Sequence, residues 1–186
     1  VLISASLLVL SLPLVLVIAA AIKLTSPGPV LFRQRRRGLN HKVIEVLKFR
    51  TMTVLEDGGD VRQATSNDQR VTAIGRLLRR SSLDELPQLC NVLAGEMSLV
   101  GPRPHALVHD QHWGEMLEQY ANRHQVKPGI TGLAQVRGLR GETRTPDAIK
   151  ARVDADLEYI ATWSVWLDLE IIVRTVSAVI GARNAH

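Results

Sequence analysis

The first 22 residues carry no charge, and 18 of them are apolar; only Ser4, Ser6, Ser11 and Pro13 interrupt the run. Wound as a helix it is roughly 33 Å long, enough to cross the hydrocarbon core of a bilayer. A secretory signal would show a basic leader and a small-residue cleavage site beside the run. Neither flanks it, so residues 1–22 read as a membrane segment. Pro13 near its middle removes one helical hydrogen bond and collides with the carbonyl four residues earlier. Ser11 is close enough in sequence to satisfy a freed backbone group. Two forms are consistent with this: a kinked span, or a helix–break–helix that enters and leaves by the same leaflet.

Charge is polarised behind that segment. Residues 23–50 hold eight Lys/Arg against Glu45 alone, whereas residues 51–186 hold 15 basic and 17 acidic groups, so the whole +5 excess is juxtamembrane. Basic crowding beside a membrane helix marks the cytoplasmic side, and it suits anionic lipid or a phosphorylated ligand as well as a simple solvated patch. Aromatic residues make up only 4% of the chain, which argues against base-stacking recognition of nucleic acid. A single cysteine, Cys90, excludes an internal disulfide framework; it follows Pro87-Gln88-Leu89 and reads as a core residue.

The remaining 160 or so residues suffice for one compact α/β domain, mainly helical. Thr25–Pro29 is a turn cluster. Val30–Phe32 and Val43–Phe49 read as strands around a turn at Gly38–His41. Residues 55–69 read as a polar mobile loop, Thr72–Arg80 as a short basic helix, and 98–104 as irregular. Residues 106–124 look helical, 127–146 Gly-rich, and about 147–181 reads as one last helix. On that helix Val165, Trp166, Leu169, Ile172, Val173, Val176, Val179 and Ile180 share one arc, which Leu167 and Ile171 break. Such an arc either covers the core or, with Trp163, lies in a membrane interface.

The strongest chemical feature is Ser82-Leu83-Asp84-Glu85-Leu86-Pro87-Gln88. Adjacent carboxylates can divide the work of nucleophile and metal ligand. The same residues also fit helix caps, either Ser82 with Glu85 or Asp84 with Pro87 in the first turn, and the second frame places Pro87 better. In Gly101-Pro102-Arg103-Pro104 two prolines stiffen the backbone around a guanidinium suited to phosphate. Lys48 and Arg50 end a strand with two further cations. His105, His109 and His112 have ligand-like spacing, but no fourth ligand is evident nearby, so a zinc site is not favoured.

Taken together these motifs resemble the bacterial sugar transferases, the monotopic polyprenyl-phosphate phosphoglycosyl transferases. The resemblance is carried, in order, by Ser26-Pro27-Gly28-Pro29, Lys48-Phe49-Arg50-Thr51-Met52, Arg70-Val71-Thr72, Ser82–Gln88, Gly95-Glu96-Met97-Ser98, Gly101–Pro104 and Lys127–Gly132. It covers nearly the whole chain. Residues 102–106, Arg137–Thr143 and Trp163–Leu169 are similar to the undecaprenyl-phosphate glucose phosphotransferase branch.

The resemblance implies transfer of a hexose 1-phosphate, glucose favoured, from a UDP-sugar to undecaprenyl phosphate, with release of UMP and use of Mg²⁺. It implies that Asp84 attacks phosphorus to form a covalent intermediate and that Glu85 holds the metal. Arg103 would grip phosphate, with Lys48 and Arg50 as further candidates, and Thr131, Gln135 and Arg137 would bind the nucleotide. It favours a re-entrant segment over 1–24, broken near Ser11 and Pro13, ahead of a catalytic domain over 25–186 on the cytoplasmic face of a bacterial inner membrane. Larger members carry further segments ahead of this one, and the chain begins at Val1, so it is expected to be part of a longer protein. Its partners would be the UDP-sugar, undecaprenyl phosphate and the bilayer, with no nucleic acid; a homo-oligomer stays open. Departures from the family pattern are Leu12 between Ser11 and Pro13, Gln69 in place of Pro, and Ala134 in place of Trp. The competing possibility is a catalytically silent adaptor that keeps the fold and binds anionic lipid or a glycan-assembly partner.

Overall fold

The computed structural model describes residues 2–53, 65, 68–139, 141 and 145–180. The loop expected over 55–69 falls almost wholly outside them.

Helix α1 (Leu2–Thr25) runs on through Pro13, where the sequence suggested a helix–break–helix. The carbonyl that Pro13 leaves without its helical donor is that of Val9, yet the Ser11 hydroxyl donates one residue earlier, to Leu8 O at 3.2 Å. By length and composition α1 is apolar enough to cross a membrane. Leu2, Val9 and Leu10 are exposed, whereas Ile18 and Ile22 are buried. The second half of the helix therefore belongs to the folded domain, in a core with Phe49, Leu78, Leu83 and Leu86.

Strands β1 (Leu31–Arg37) and β2 (Val43–Phe49) form an antiparallel hairpin with Leu31 opposite Phe49 and Arg37 opposite Val43. The turn lies where expected, with Asn40 and His41 at positive φ. β1 is longer than its sequence suggested, because its charged half hid the strand period. Alternation places Phe32, Gln34 and Arg36 on one face, opposite Lys48, Val46 and Ile44. Buried Ile44 and Val46 pack there against Val92 and Met97.

Helix α2 (Ala73–Arg80) is capped by Thr72, whose hydroxyl accepts from the Gly75 N–H. Helix α3 (Gln88–Leu93) starts after Pro87. Strand β3 (Ser98–Val100) pairs in parallel with β4 (Gly129–Thr131). The two backbones approach closely here: a Cβ on Gly129 would stand 2.1 Å from Gly101 N. Between them lie α4 (Leu107–Met116) and a 3-10 stretch, Tyr120–Gln125, in place of one helix over 106–124.

After the short α5 (Leu133–Val136), the expected last helix divides into α6 (Pro146–Thr162) and α7 (Val165–Ile180). The break is a capping event: the Ser164 hydroxyl accepts from the Leu167 N–H at 3.1 Å. Tyr159 fastens the corner by donating to Asp168 at 2.8 Å. Ile171, which broke the apolar arc, is the residue of α7 buried in the core with Val100, Leu133 and Tyr159. On the arc itself Val165, Trp166, Leu169, Val173 and Val176 are exposed. Ile172, also on the arc, is half-buried against that core, so only this edge of the arc reaches it. Cys90 is also exposed, contrary to expectation.

Candidate active site

Asp84 and Glu85 sit on a single 3-10 turn, Leu83–Glu85, entered through Ser82 at φ 57°. Neither cap suggested by the sequence forms: Ser82 makes no side-chain cap to this turn, and α3 opens later, on Pro87. Leu83 and Leu86 flank the dyad and are packed into the core shared with Ile18 and Ile22. Two apolar anchors thus hold a turn whose carboxylates are both largely buried.

The two carboxylates differ in their surroundings. Glu85 is clamped. Lys48 Nζ donates to its Oε1 at 2.8 Å, and the Arg103 guanidinium takes both oxygens, Nη1 to Oε2 at 3.1 Å and Nη2 to Oε1. Burial pushes the Glu85 carboxyl up, but Arg103 and Lys48 outweigh it and hold the pKa well below the ordinary value. Asp84 has no hydrogen-bond or ion-pair partner among the described residues, and its oxygens are not sealed from solvent. Burial raises its pKa, Lys48 and Arg103 oppose the rise, and the negative charge of Glu85 adds to it. One carboxylate is therefore fixed by two cations, while its neighbour makes no hydrogen bond or ion pair with a described residue.

Lys48 reaches the site because it continues the inward row of Ile44 and Val46 on β2. Burial lowers its pKa against the pull of Glu85. Arg103 comes from the opposite side, on the loop after β3. That loop is stitched to β4 by Gly101 N–H to Thr131 O and Gly129 N–H to Pro102 O, both 2.9 Å. Its carbonyls are held by two arginines: Arg123 Nη2 donates to Arg103 O at 2.7 Å and Arg36 Nη1 to Pro104 O at 2.5 Å. Arg123 is itself locked to Asp156, both side chains being only 2% exposed. His105 joins this network, with Nδ1 2.7 Å from the Tyr120 hydroxyl.

The other expected site residues are placed as follows. Arg50 is buried and committed to the juxtamembrane turn, donating to Ser26 O at 2.7 Å and to Pro27 O. It is not joined to the dyad. The Thr131 hydroxyl is 2.6 Å from that of Thr175 on α7, while its backbone carries the Gly101 contact. Gln135 donates to Ile130 O and keeps a buried Oε1 without a partner. Arg137 makes an exposed bidentate pair with Glu158. Ala134, the departure from the family pattern, is buried in α5.

No group of three metal-ligating side chains occurs among the described residues. The donors at the dyad are hard carboxylate oxygens, the class Mg²⁺ takes from a protein when substrate phosphates and water complete its shell. Carboxylate chemistry suits that ion, but both Glu85 oxygens are already taken by Lys48 and Arg103.

Sequence reading missed Arg36, Arg123 and Asp156. Strand alternation could have singled out Arg36 within Arg35-Arg36-Arg37, since it shares a face with Lys48. Nothing local marks Arg123, whose partner is 33 residues away.

A membrane-type helix packed into a small α/β domain, with a paired-carboxylate turn facing a proline-framed arginine, defines the class. Residues 1–182 match the bacterial sugar transferase family, and the chain belongs to it. It is 56% identical over 174 residues to the UDP-glucose:undecaprenyl-phosphate glucose-1-phosphate transferase of Caulobacter vibrioides, covering 94% of this chain and 65% of that protein. A protein of the same name from Klebsiella pneumoniae is 55% identical over 95% of this chain and 38% of its own length. The exopolysaccharide production protein PSS of Rhizobium leguminosarum is 50% identical over 93% of this chain and 88% of its own. This chain thus spans about two thirds of the first of these relatives and about two fifths of the second.

Proposed function

We propose that the chain transfers a hexose 1-phosphate, glucose 1-phosphate in the first instance, from a UDP-sugar to undecaprenyl phosphate with release of UMP. The observation that carries this reading is the contrast between a clamped Glu85 and an unpartnered Asp84. The names of the relatives supply the substrates.

In the first half-reaction an Asp84 oxygen attacks the sugar-linked phosphorus. An acyl phosphate bond forms, the diphosphate P–O bond breaks, and UMP leaves with the bridging oxygen. In the second, an oxygen of undecaprenyl phosphate attacks the same phosphorus and Asp84 leaves as carboxylate. Each half-reaction uses an anionic oxygen nucleophile; burial works against that form of Asp84, and the charges of Lys48 and Arg103 beside it favour it. The chain's own task is to hold two negative partners together. Arg103 and Lys48 are fixed beside the dyad, ready to meet phosphate oxygens as well as Glu85. Glu85 would hold Mg²⁺ with the substrate phosphates only once Lys48 or Arg103 gives up one of its oxygens to them; the ion, when bound, neutralises diphosphate charge. Thr131 stands on β4, the strand stitched to the Arg103 loop, and Gln135 on α5 just after it, a suitable wall for the nucleotide. Arg137 would join them only after leaving Glu158.

The reaction belongs at the cytoplasmic face of a bacterial inner membrane, as the first membrane step of exopolysaccharide or surface-glycan assembly. α1 supplies the membrane segment, and the exposed arc of α7 lies in the interface. A re-entrant course through one leaflet is favoured because the free Val9 carbonyl makes α1 easiest to bend at Pro13.

Intact-mass spectrometry of detergent-solubilised protein mixed with UDP-glucose and Mg²⁺ tests the mechanism. A hexose-phosphate increment is expected, absent in Asp84→Asn and cleared by undecaprenyl phosphate. UMP release by the wild-type chain with no increment under any condition refutes the covalent step. An increment with a different UDP-sugar alone replaces glucose.

A further inference from the structure

The Pro102-Arg103-Pro104 loop presents the guanidinium of the site, yet two of its three residues have no backbone N–H. The strand ladder reaches only its first carbonyl, Pro102 O, through the Gly129 N–H, so the other two carbonyls are the remaining handles. The carbonyl of Arg103 accepts from Arg123, and the next carbonyl, that of Pro104, accepts from Arg36. Arg36 is fixed at its other edge, where Nε and Nη2 donate to Gln34 Oε1 at 3.1 and 2.6 Å. A backbone bridge between Arg36 and Ala106 brings β1 against the end of the loop.

We propose that Arg36 is a positioning residue for Arg103: by holding the Pro104 carbonyl it sets the angle at which the Arg103 fork meets Glu85 and an incoming phosphate. The inference deepens the transferase reading and rests on it for its catalytic consequence. Geometry is the first support. Only a planar fork can reach Pro104 O and Gln34 together; a lysine ammonium has neither the span nor the direction. Placement is the second. Desolvation and the like charge of Arg103 push the Arg36 pKa down to about 10, so a cation stands here against its own electrostatic preference. Asp84 and Glu85 are the charges that offset this cost. A merely solvated strand arginine would carry none of these features. Arg33, on the opposite face of β1, is such a residue, with a side chain 69% exposed.

The experiment reads Arg103 directly and activity separately. In ¹⁵N-arginine NMR of the detergent-solubilised chain, the Arg103 Nε–H signal is assigned by its loss in Arg103→Ala. It is expected to be sharp and slowly exchanging in the wild type and broadened or lost in Arg36→Gln, with the thermal midpoint within a few degrees. UMP release should fall at least ten-fold in Arg36→Gln. The same substitution should cause no further loss in an Arg103→Ala background. Arg36→Lys keeps the charge and should free the Arg103 signal equally, which preserves the test if Arg36→Gln does not fold. An unchanged Arg103 signal in both variants, or fully additive losses in the double variant, overturns the proposal. A wild-type chain that releases no UMP while the Arg103 signal still depends on Arg36 sinks the transferase reading and leaves the positioning role standing.

Discussion

Glu85→Gln and Asp84→Asn exchange carboxylate for amide at adjacent residues, and their effects on stability should have opposite signs. Glu85 neutralises two cations whose side chains are 14% (Lys48) and 26% (Arg103) exposed. Removing one partner of a buried pair costs roughly 3–5 kcal/mol, and the access of water to Arg103 reduces this to roughly 2–4 kcal/mol. In a chain of this size that lowers the thermal midpoint by roughly 5–15 °C. Asp84 has no partner to lose, and burial disfavours its charge. Its amide should gain on the order of 1 kcal/mol, a rise of a few degrees, while abolishing transfer. pH supplies a control on the sign. Folding raises the Asp84 pKa, so the ionised group weakens the fold as pH climbs through its folded value, and the advantage of Asn disappears in acid. Glu85 is lowered, so its contribution is complete above the ordinary value of 4.5 and fades as pH falls below it; the Gln penalty shrinks with it. Scanning fluorimetry in detergent at neutral pH and in mild acid measures both. Shifts of the same sign and size at neutral pH would refute the division of roles within the dyad.

On the proposed mechanism the raised Asp84 pKa also sets the acid limb of turnover. UMP release against pH should fall on the acid side at a pH above the ordinary aspartate value of 3.8, and Arg103→Ala should move that limb further up. The exposed arc of α7 gives a separate test: Trp166→Asp with Val173→Asp should weaken co-flotation with anionic vesicles several-fold while the dyad keeps its fold, read as an unchanged UMP-release rate in detergent.

What was legible in the sequence was what is decided locally. The uncharged run, the hairpin turn, the short basic helix ending at Arg80 and the dyad between two leucines are each written in a few adjacent residues. The assignment of Lys48 and Arg103 to one site came from motif order and is matched by their shared grip on Glu85. Arg50 shows the limit. It has the same charge as Lys48 two residues earlier, but the hairpin end turns it to the Ser26–Pro27 carbonyls. The last helix was misread because a 3.6-residue period continues across Ser164 while the backbone does not. Its apolar arc was then open to two explanations; Ile171 and, at the arc's edge, Ile172 turn to the core while most of the arc stays exposed. Arg123 and Asp156 were invisible for a further reason: they pair with each other across 33 residues, and neither has a local signature.

The packing of Ile18 and Ile22 against Leu83 and Leu86 means that the membrane helix is not a detachable anchor. Cutting it away to obtain a soluble fragment would strip one wall from the turn that carries Asp84. The same contact makes the bilayer a mechanical input. A lipid mixture that tilts or shifts α1 presses on two leucines, and through them on the dyad, so turnover should respond to membrane thickness even when every polar contact at the site is intact.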